Sequence, residues 1–558
     1  MKKSSLKFLF GIIVLLILVN ALASRFYTRV DFTVDKKYTL SATSLDVVKS
    51  IEQPLVIEVF LTGDLPAEFK RLQSETRYML EEFQAYNSNI KFRFSNPLEG
   101  EADAMEIANQ FYANGMSPET LNIRENGKVT ERLIFPWAIA RYAKKEVSLP
   151  LLQKTLSDSN AEITQKSIES LEYAFVDAIT KLTRERSKKI AIVKGQGELE
   201  DKYLADFLTS LKDYYLIAPF TLDSVGTKPI QTLEALKRYD LIINANPKLA
   251  FSDEKLFAID QYIMNGGKAL WLTQHVSIEK DSLYNSSQSA LAFPNDLNLH
   301  ALFFNYGIRI NPQLINDLYS APIVLASGSG NSTQLTRFPW FYDPLGEVGE
   351  THPITSKLNQ VRFEFANPID TLKSSLKKTV LLQSSKLSRK VGVPSEINLS
   401  EISQEPDPQL YTSGKFPMAV LVEGEFNSAF KAKLKPFDVN SVLDKSPYTQ
   451  QVFISDGNLI KNQIQSGNPL ELGFDRYTGL TYGNKRFLLN TVNYLLGDED
   501  LVSTRNKSIQ LNEMDLDQLQ DQERIWQILN ITIPVLLILS FGGLLYIRRK
   551  RKYASFKL

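Results

Sequence analysis

Apolar residues fall into two unbroken runs at the ends of the chain and into short periodic clusters between them. Lys2, Lys3 and Lys7 precede the first run, Phe8 to Val19, and apolar character continues past Asn20 to Ala23, with Phe26 able to extend it. A helix crosses the hydrocarbon layer with about 20 such residues, so 8–26 reads as a membrane anchor. Ala21-Leu22-Ala23 before Ser24 also fits the small-residue site at which signal peptides are cut. Under either reading the chain beyond Ser24 is exported.

The second run, Ile525 to Ile547, is interrupted only by mild residues such as Gln527, Asn530 and Thr532, and it contains Pro534. A lipid-spanning helix tolerates such a proline because neighbouring groups satisfy the freed carbonyl. Arg548, Arg549, Lys550, Arg551 and Lys552 follow directly, whereas Asp515, Asp517, Asp521 and Glu523 precede it with Arg524. That asymmetry places the C-terminal tail in the cytoplasm. The N-terminal lysines point the same way, against Arg25 and Arg29, so the expectation is two spans, both termini cytoplasmic, and the bulk of the chain on the outer side.

Between the runs the periodicity is that of an α/β protein. Leu55 to Leu61 reads as a buried strand. Phe69, Leu72, Met79, Leu80, Phe83 and Tyr86 lie on one face of a helix, and Ile90 to Phe94 alternates as a strand does. A helix over Ala104 to Ala113 and strands over Thr120 to Arg124 and Val129 to Tyr142 follow, with Asn126-Gly127 as the hairpin turn. Strand, helix, strand, helix, hairpin is the order of a thioredoxin-like unit. Asn160 to Leu182 reads as one connecting helix.

Beyond it, strands over Lys189–Val193, Leu216–Leu222, Tyr239–Ala245 and Lys268–Thr273 alternate with helices over Tyr203–Leu211, Leu233–Leu236 and Ser252–Met264, the last ended by Gly266-Gly267. This spacing predicts a parallel, doubly wound sheet. Further strands are expected at Thr379–Gln383, Met418–Glu423 and Gln451–Ser455, with a helix over Asn484–Leu496. Val276 to Ser375 has no clear period; it holds Gly328, Ser329, Gly330 and the aromatic group Phe338, Trp340, Phe341 and Tyr342, read as a satellite core.

Ligands of doubly wound sheets gather beyond the carboxyl ends of the strands. Here those ends carry Gly195, Gln196, Gly197, Glu198, Asn244, Asn246, Gln274, His275 and Asp456, which are the candidate ligand-binding residues. Glu198 or Asp456 could serve as a general base of an envelope hydrolase; Glu198 equally suits a turn beside a helix N-terminus.

Composition removes most other chemistry. The chain of 558 residues has no cysteine, which excludes disulfides, thiol nucleophiles and thiolate metal sites. Its three histidines, His275, His300 and His352, stand at no metal-ligand spacing, so no metal is expected. A formal net charge of +1 supplies no field for nucleic acid. Gly266-Gly267-Lys268 lacks the spaced glycine and the Ser or Thr of a phosphate loop, and Gly195-x-Gly197 is only half of a dinucleotide turn, so no cofactor is expected.

Several ordered motifs carry a resemblance: Arg29-Val-Asp-Phe-Thr-Val-Asp-Lys-Lys-Tyr-Thr-Leu-Ser41, Ile190-Ala-Ile-Val-Lys-Gly-Gln-Gly-Glu198, Gly266-Gly-Lys-Ala-Leu-Trp-Leu272, His352-Pro-Ile354, Pro417-Met-Ala-Val-Leu-Val-Glu-Gly424, Ile454-Ser-Asp-Gly-Asn458 and Asn490-Thr-Val-Asn-Tyr-Leu495. In this order they resemble the gliding-motility-associated auxiliary or substrate-binding proteins of ABC transporters, the GldG family of Bacteroidota. The resemblance implies a separate ATPase subunit and a separate multi-span permease as partners, membrane lipid around the spans, and a middle domain of the kind shared with an intraflagellar transport protein. That domain is related in fold to class I glutamine amidotransferases. Their cysteine nucleophile has no counterpart here, where the third strand runs into Asn244-Ala245-Asn246. What the resemblance leaves is a non-catalytic subunit whose sheet rim could bind a carbohydrate, a peptide or a protein; a structural spacer is the remaining alternative. The expected organisation is a cytoplasmic N-terminus (1–7), an anchor or signal (8–26), a thioredoxin-like unit (27–158), a connecting helix (159–185), an amidotransferase-like domain with insertions (186–500), a stalk (501–524), a span (525–547) and a basic cytoplasmic tail (548–558).

Overall fold

The computed structural model describes residues 10–20, 31, 39–99, 104–125, 128–153, 160–327, 334–439, 441–498 and 516–553. The Asn126-Gly127 turn, Gly328 to Gly330 and 501–515 of the expected stalk lie outside them, as do most of 1–9 and 21–38. The chain divides into two compact units, Met1–Lys507 and Ser508–Leu558.

In the first unit, strands β1 (Leu55–Val59), β2 (Ile90–Phe94), β3 (Trp137–Tyr142) and β4 (Lys145–Pro150) form a sheet of order β2-β1-β3-β4. The β1/β2 pair is parallel and the rest antiparallel. Helix α1 (Ala67–Tyr86) buries Phe69, Leu72, Leu80 and Phe83. Phe83 meets Phe175 of helix α2 (Asn160–Thr183) edge to face, with ring centroids 6.3 Å apart. The stretch 129–142, expected as one strand, is two. Lys128–Ile134 pairs with Glu119–Glu125 in a hairpin apart from the sheet, and β3 begins only after Phe135-Pro136. Pro136 has no N–H to donate, which interrupts the ladder there.

The larger sheet holds β5 (Lys189–Lys194), β6 (Leu216–Thr221), β7 (Leu241–Ala245), β8 (Lys268–Leu272), β9 (Ser320–Ser327), β10 (Gln334–Val348), β11 (Lys377–Gln383), β12 (Pro417–Asn427) and β13 (Lys445–Ile454). Their order is β9-β10-β11-β12-β13-β8-β7-β5-β6. Only β6, β5, β7, β8 and β13 run parallel; β12, β11, β10 and β9 continue the sheet antiparallel. The parallel expectation therefore holds for half of the sheet. The other half returns by direct connections and needs no crossover helix.

Alternate residues of each central strand face opposite layers, as a period of two requires. Ile190, Ile192, Ile243 and Leu270 pack with Leu204, Phe207 and Leu211 of helix α3 (Asp201–Lys212) and with Phe487, Leu488, Val492 and Leu495 of helix α6 (Asn484–Leu495). Ala191, Val193, Ile242 and Trp271 face Leu236 of helix α4 (Pro229–Leu236) and Phe257, Ile259 and Ile263 of helix α5 (Asp253–Met264). Helices thus cover both faces of the parallel half. Helix α5 is buried nearly all round because Phe426, Ala429, Phe430, Phe437 and Leu443 cover its outer side. There Asp260 accepts from Ser428 Oγ (2.6 Å), Ala429 N (2.9 Å) and Tyr306 Oη (3.0 Å).

The aperiodic stretch 276–375 is rich in strands. Trp340 and Tyr342 on β10, with Phe338, pack with Phe365, Leu314 and Val276 in a separate core. Phe341, expected in the same cluster, alternates to the other side of the strand and meets the Tyr411 ring at 6.4 Å.

The second unit contains a helix, Leu516–Tyr553, so part of the expected stalk is continuous with the apolar run. Within its segment Ile525–Arg551 an 18-residue stretch has mean hydropathy 2.2 and is not buried within the chain. At 1.5 Å per residue, 27 residues span about 40 Å, ample for a hydrocarbon layer of about 30 Å. At the other end the described helix, Phe10–Asn20, is shorter than a full span.

Candidate functional site

The site forms where β5, β7, β8 and β13 end. β5 runs into Gly195-Gln196-Gly197-Glu198. Gly195 has φ of 109°, and a Cβ there would lie 2.7 Å from the Asp223 carboxylate, so glycine is required. The turn closes on itself and on the loop after β7. Gln196 O accepts from Lys248 N and Leu249 N at 2.8 Å each, and Gln196 N donates to Glu198 Oε2 at 2.8 Å. Burial pushes the Glu198 carboxyl up, against the backbone amides of the turn.

β7 runs into Asn246, which adopts a left-handed φ of 58°. Its Nδ2 donates to Asn458 Oδ1 (2.8 Å), and a Cβ on Gly457 would lie 2.1 Å from its Oδ1. β13 leads into Asp456, which caps the short helix Gly457–Ile460 by accepting from Asn458 N (2.7 Å). The other Asp456 oxygen accepts from Glu364 N (2.8 Å). Asn458 Nδ2 reaches Glu364 Oε1 (3.0 Å), so three segments distant in sequence are tied at one point.

From Glu364 a charged cluster continues inward. Arg362 lies 3.6 Å from Glu364, 3.0 Å from Asp343 and 3.7 Å from Asp475, and Lys280 also pairs with Asp343. Burial pushes Glu364 up, but Lys280, Arg362 and Lys461 outweigh it and hold the carboxyl low. Burial likewise opposes the Arg362 charge, and Asp343, Glu364 and Asp475 overcome it. Asp456 has no ion-pair partner among the described residues: burial and the neighbouring Glu364 and Asp343 push it up to about 8. A cavity of about 500 Å³ opens on this cluster, walled by residues of 279–284, 322–324, 362–364 and 456–484.

Among the sequence candidates, Asp456 lines the cavity, and Asn246 reaches its wall through Asn458. Gly195, Gln196, Gly197 and Glu198 build the adjoining turn. Asn244 is fully buried on the α5 side, and neither amide atom has a protein partner. Gln274 and His275 are buried farther along the rim, where Asn295 Nδ2 donates to Gln274 O (3.0 Å) and His275 N donates to Asn367 Oδ1 (2.7 Å). The His275 ring lies 5.5 Å from that of His300, so the fold joins two histidines that spacing kept apart. Burial drives His275 down to about 3, with the His300 ring adding to it, which keeps it neutral. Among the described residues no group of three potential metal ligands forms.

Sequence reasoning missed Lys280, Tyr284, Arg362, Glu364, Lys461, Asp475 and Tyr482. They are scattered over aperiodic segments, and no local signal marks them as neighbours.

The family model for an ABC-type uncharacterized transport system matches residues 187–491, and that of a domain of unknown function, DUF7088, matches 34–141. An uncharacterized protein of Borreliella burgdorferi is 20% identical over 407 residues, covering 72% of this chain and 74% of the relative. Among solved structures, the mmIFT52 N-terminal domain aligns with 55% of this chain and 97% of its own length, at 11% identity and a TM-score of 0.32.

Proposed function

The chain belongs to the family of ABC-type uncharacterized transport systems, and on that premise we propose that this auxiliary component is a non-catalytic binding subunit whose bulk lies on the periplasmic side of a bacterial inner membrane. Its partners in this reading are a separate ATPase and a separate multi-span permease, and both termini are cytoplasmic. The GldG-like motif order suggests a complex serving gliding motility. The observation that carries the reading is the family match over 187–491 on a chain that ends in an apolar, wholly exposed helix. Such a helix needs lipid or a partner to cover it, and Arg548 to Lys552 at its end favour the cytoplasmic side for the tail. The thioredoxin-like and amidotransferase-like assignments of the two sheets belong to the same proposal.

A hydrolase is the second reading, favoured by the raised Asp456 beside Glu364. Against it, both Asp456 oxygens accept backbone amides, which suits a clamp on the loops. Affinity purification from mild detergent through a tag on the full chain tests the main reading. An ATPase and a permease should copurify in fixed ratio. Recovery of the chain alone, from cells expressing both, contradicts it.

A further inference from the structure

We propose that the cavity beyond the strand ends binds an acidic saccharide, a sugar of one or two rings carrying a single carboxylate; this rests on the reading of the chain as a binding subunit.

Three independent features of the wall point to that ligand. The first is aromatic. Tyr284 and Tyr477 line the cavity yet are 53% and 58% exposed; Arg476 covers one face of the Tyr477 ring, whereas no ring or cation lies over Tyr284 among the described residues. Flat rings with a polar edge suit the C–H face of a pyranose, which is apolar across the ring and hydroxylated around it.

The second is an uncommitted hydroxyl. Tyr482 is only 4% exposed, lies on the cavity wall, and its Oη has no protein partner. Buried hydroxyls are normally satisfied, so this one is a donor and acceptor held ready for a group entering the cavity. Hydroxyl-rich ligands supply such a group.

The third is charge. The inner cations are occupied, Lys280 by Asp343 and Arg362 by Asp343, Glu364 and Asp475. Lys461 and Arg476, also on the wall, have no carboxylate within ion-pair distance among the described residues, although Lys461 acts on Glu364 from farther away. Lys461 instead lies over the Tyr203 ring at 5.4 Å, and Arg476 over Tyr477 at 4.6 Å, donating to Ile464 O at 2.8 Å and to Tyr477 Oη. Asp281 and Asp456 are the wall carboxylates without an ion pair among the described residues; burial raises Asp456 to about 8, which keeps it neutral at pH 7, and Asp281 suits a sugar hydroxyl as acceptor. Two such cations against one charged carboxylate of this kind favour a ligand with one negative charge, held by charge-assisted hydrogen bonds. A cavity of about 500 Å³ accommodates one or two rings.

Calorimetric titration of the full chain in detergent tests this, using glucuronic acid, N-acetylmuramic acid and a uronic-acid disaccharide against glucose, N-acetylglucosamine and cellobiose. At least one acidic sugar should bind tenfold or more tighter than its neutral counterpart. Combining Lys461→Gln with Arg476→Gln should remove that tenfold difference and leave neutral-sugar affinity within twofold. Tyr284→Ala should weaken both classes, with the thermal unfolding midpoint of each variant confirming the fold. Absence of binding by every acidic sugar, equal affinity for acidic and neutral partners, or an unaffected double variant overturns the proposal. Tighter binding of glucose 6-phosphate than of any carboxylate overturns the ligand class. Copurification with the transport partners is read separately, so failure of sugar binding leaves the subunit reading standing.

Discussion

Replacing Arg362 with Met isolates what the buried charge cluster contributes. The guanidinium serves Asp343, Glu364 and Asp475 at once; Asp343 is fully buried and the Glu364 side chain is 19% exposed. Lys280 remains as a partner for Asp343, but Glu364 keeps only Asn458 and more distant cations. Removing one partner of a buried ion pair costs about 3–5 kcal/mol, because the charge left behind is desolvated and unmatched. Unfolding entropy of about 2.1 cal/mol/K per residue over roughly 300 residues gives about 0.6 kcal/mol per kelvin, so the midpoint should fall by about 5–8 °C. Thermal unfolding of the full chain in detergent, followed by tryptophan fluorescence, reads this directly. The deficit should also shrink on acidification. In the native protein Glu364 is held low, so its stabilisation is present at neutral pH and lost as pH falls. Without Arg362 that contribution is already gone, and the freed carboxylates fold more easily when protonated. A midpoint shift under about 1.5 °C, or a deficit equal at pH 5 and pH 7.5, would refute the cluster as described.

Four further outcomes follow from the geometry. Asp456 is raised to about 8 from 3.8, so the folded state holds its proton between those values and the unfolded state does not. Its contribution is complete below pH 3.8 and lost as pH rises towards 8, by up to about 1.4 kcal/mol per unit; Asp456→Asn should flatten this slope in urea unfolding measured from pH 5 to 8. His275 acts in the opposite sense: lowered to about 3 from 6.5, it makes the protein lose stability as pH falls through that interval, and His275→Phe should remove the loss. Gly195→Ala places a Cβ against Asp223 at a φ that disfavours side chains and should cost about 1–3 kcal/mol, whereas Gly226→Ala, with open space around it, should stay within about 0.5 kcal/mol in the same assay. Ending the chain before Leu516 removes the exposed apolar helix and should lower the fraction sedimenting with membranes; unchanged sedimentation would assign membrane attachment elsewhere.

The parallel half of the large sheet was legible because its signals are local. Alternation at Ile190 and Ile192, the Ser252 cap, which accepts from Lys255 N at 3.5 Å, and the Gly266-Gly267 stop all act within a few residues. The insertion was not. Its strands pair across long separations, Gln313–Asp317 with Ser388–Gly392 and Ser289–Pro294 with Ser395–Asn398. Pro339 and Pro344 within β10 argue against a strand on local grounds, and β10 forms regardless, over 15 residues. The same separation hid the cavity. Asp456-Gly457-Asn458 reads as a turn after a strand, but nothing near Arg362 or Lys280 in sequence announces that both will be buried against Asp343. Asp260 in the middle of α5 shows the limit from the other side: it sits in a helix legible by its caps, and only the distant Ser428 and Ala429 explain why a carboxylate can be buried there.

Because the chain contains no cysteine, its orientation can be read from single introduced thiols. Leu434 is 96% exposed on the globular unit, and Arg551 is exposed at the basic end of the apolar helix. In cells with a permeabilised outer membrane, a membrane-impermeant maleimide should label Leu434→Cys at once and Arg551→Cys only after the inner membrane is broken. Labelling in the reverse order would place the globular unit on the cytoplasmic side and contradict the proposed role.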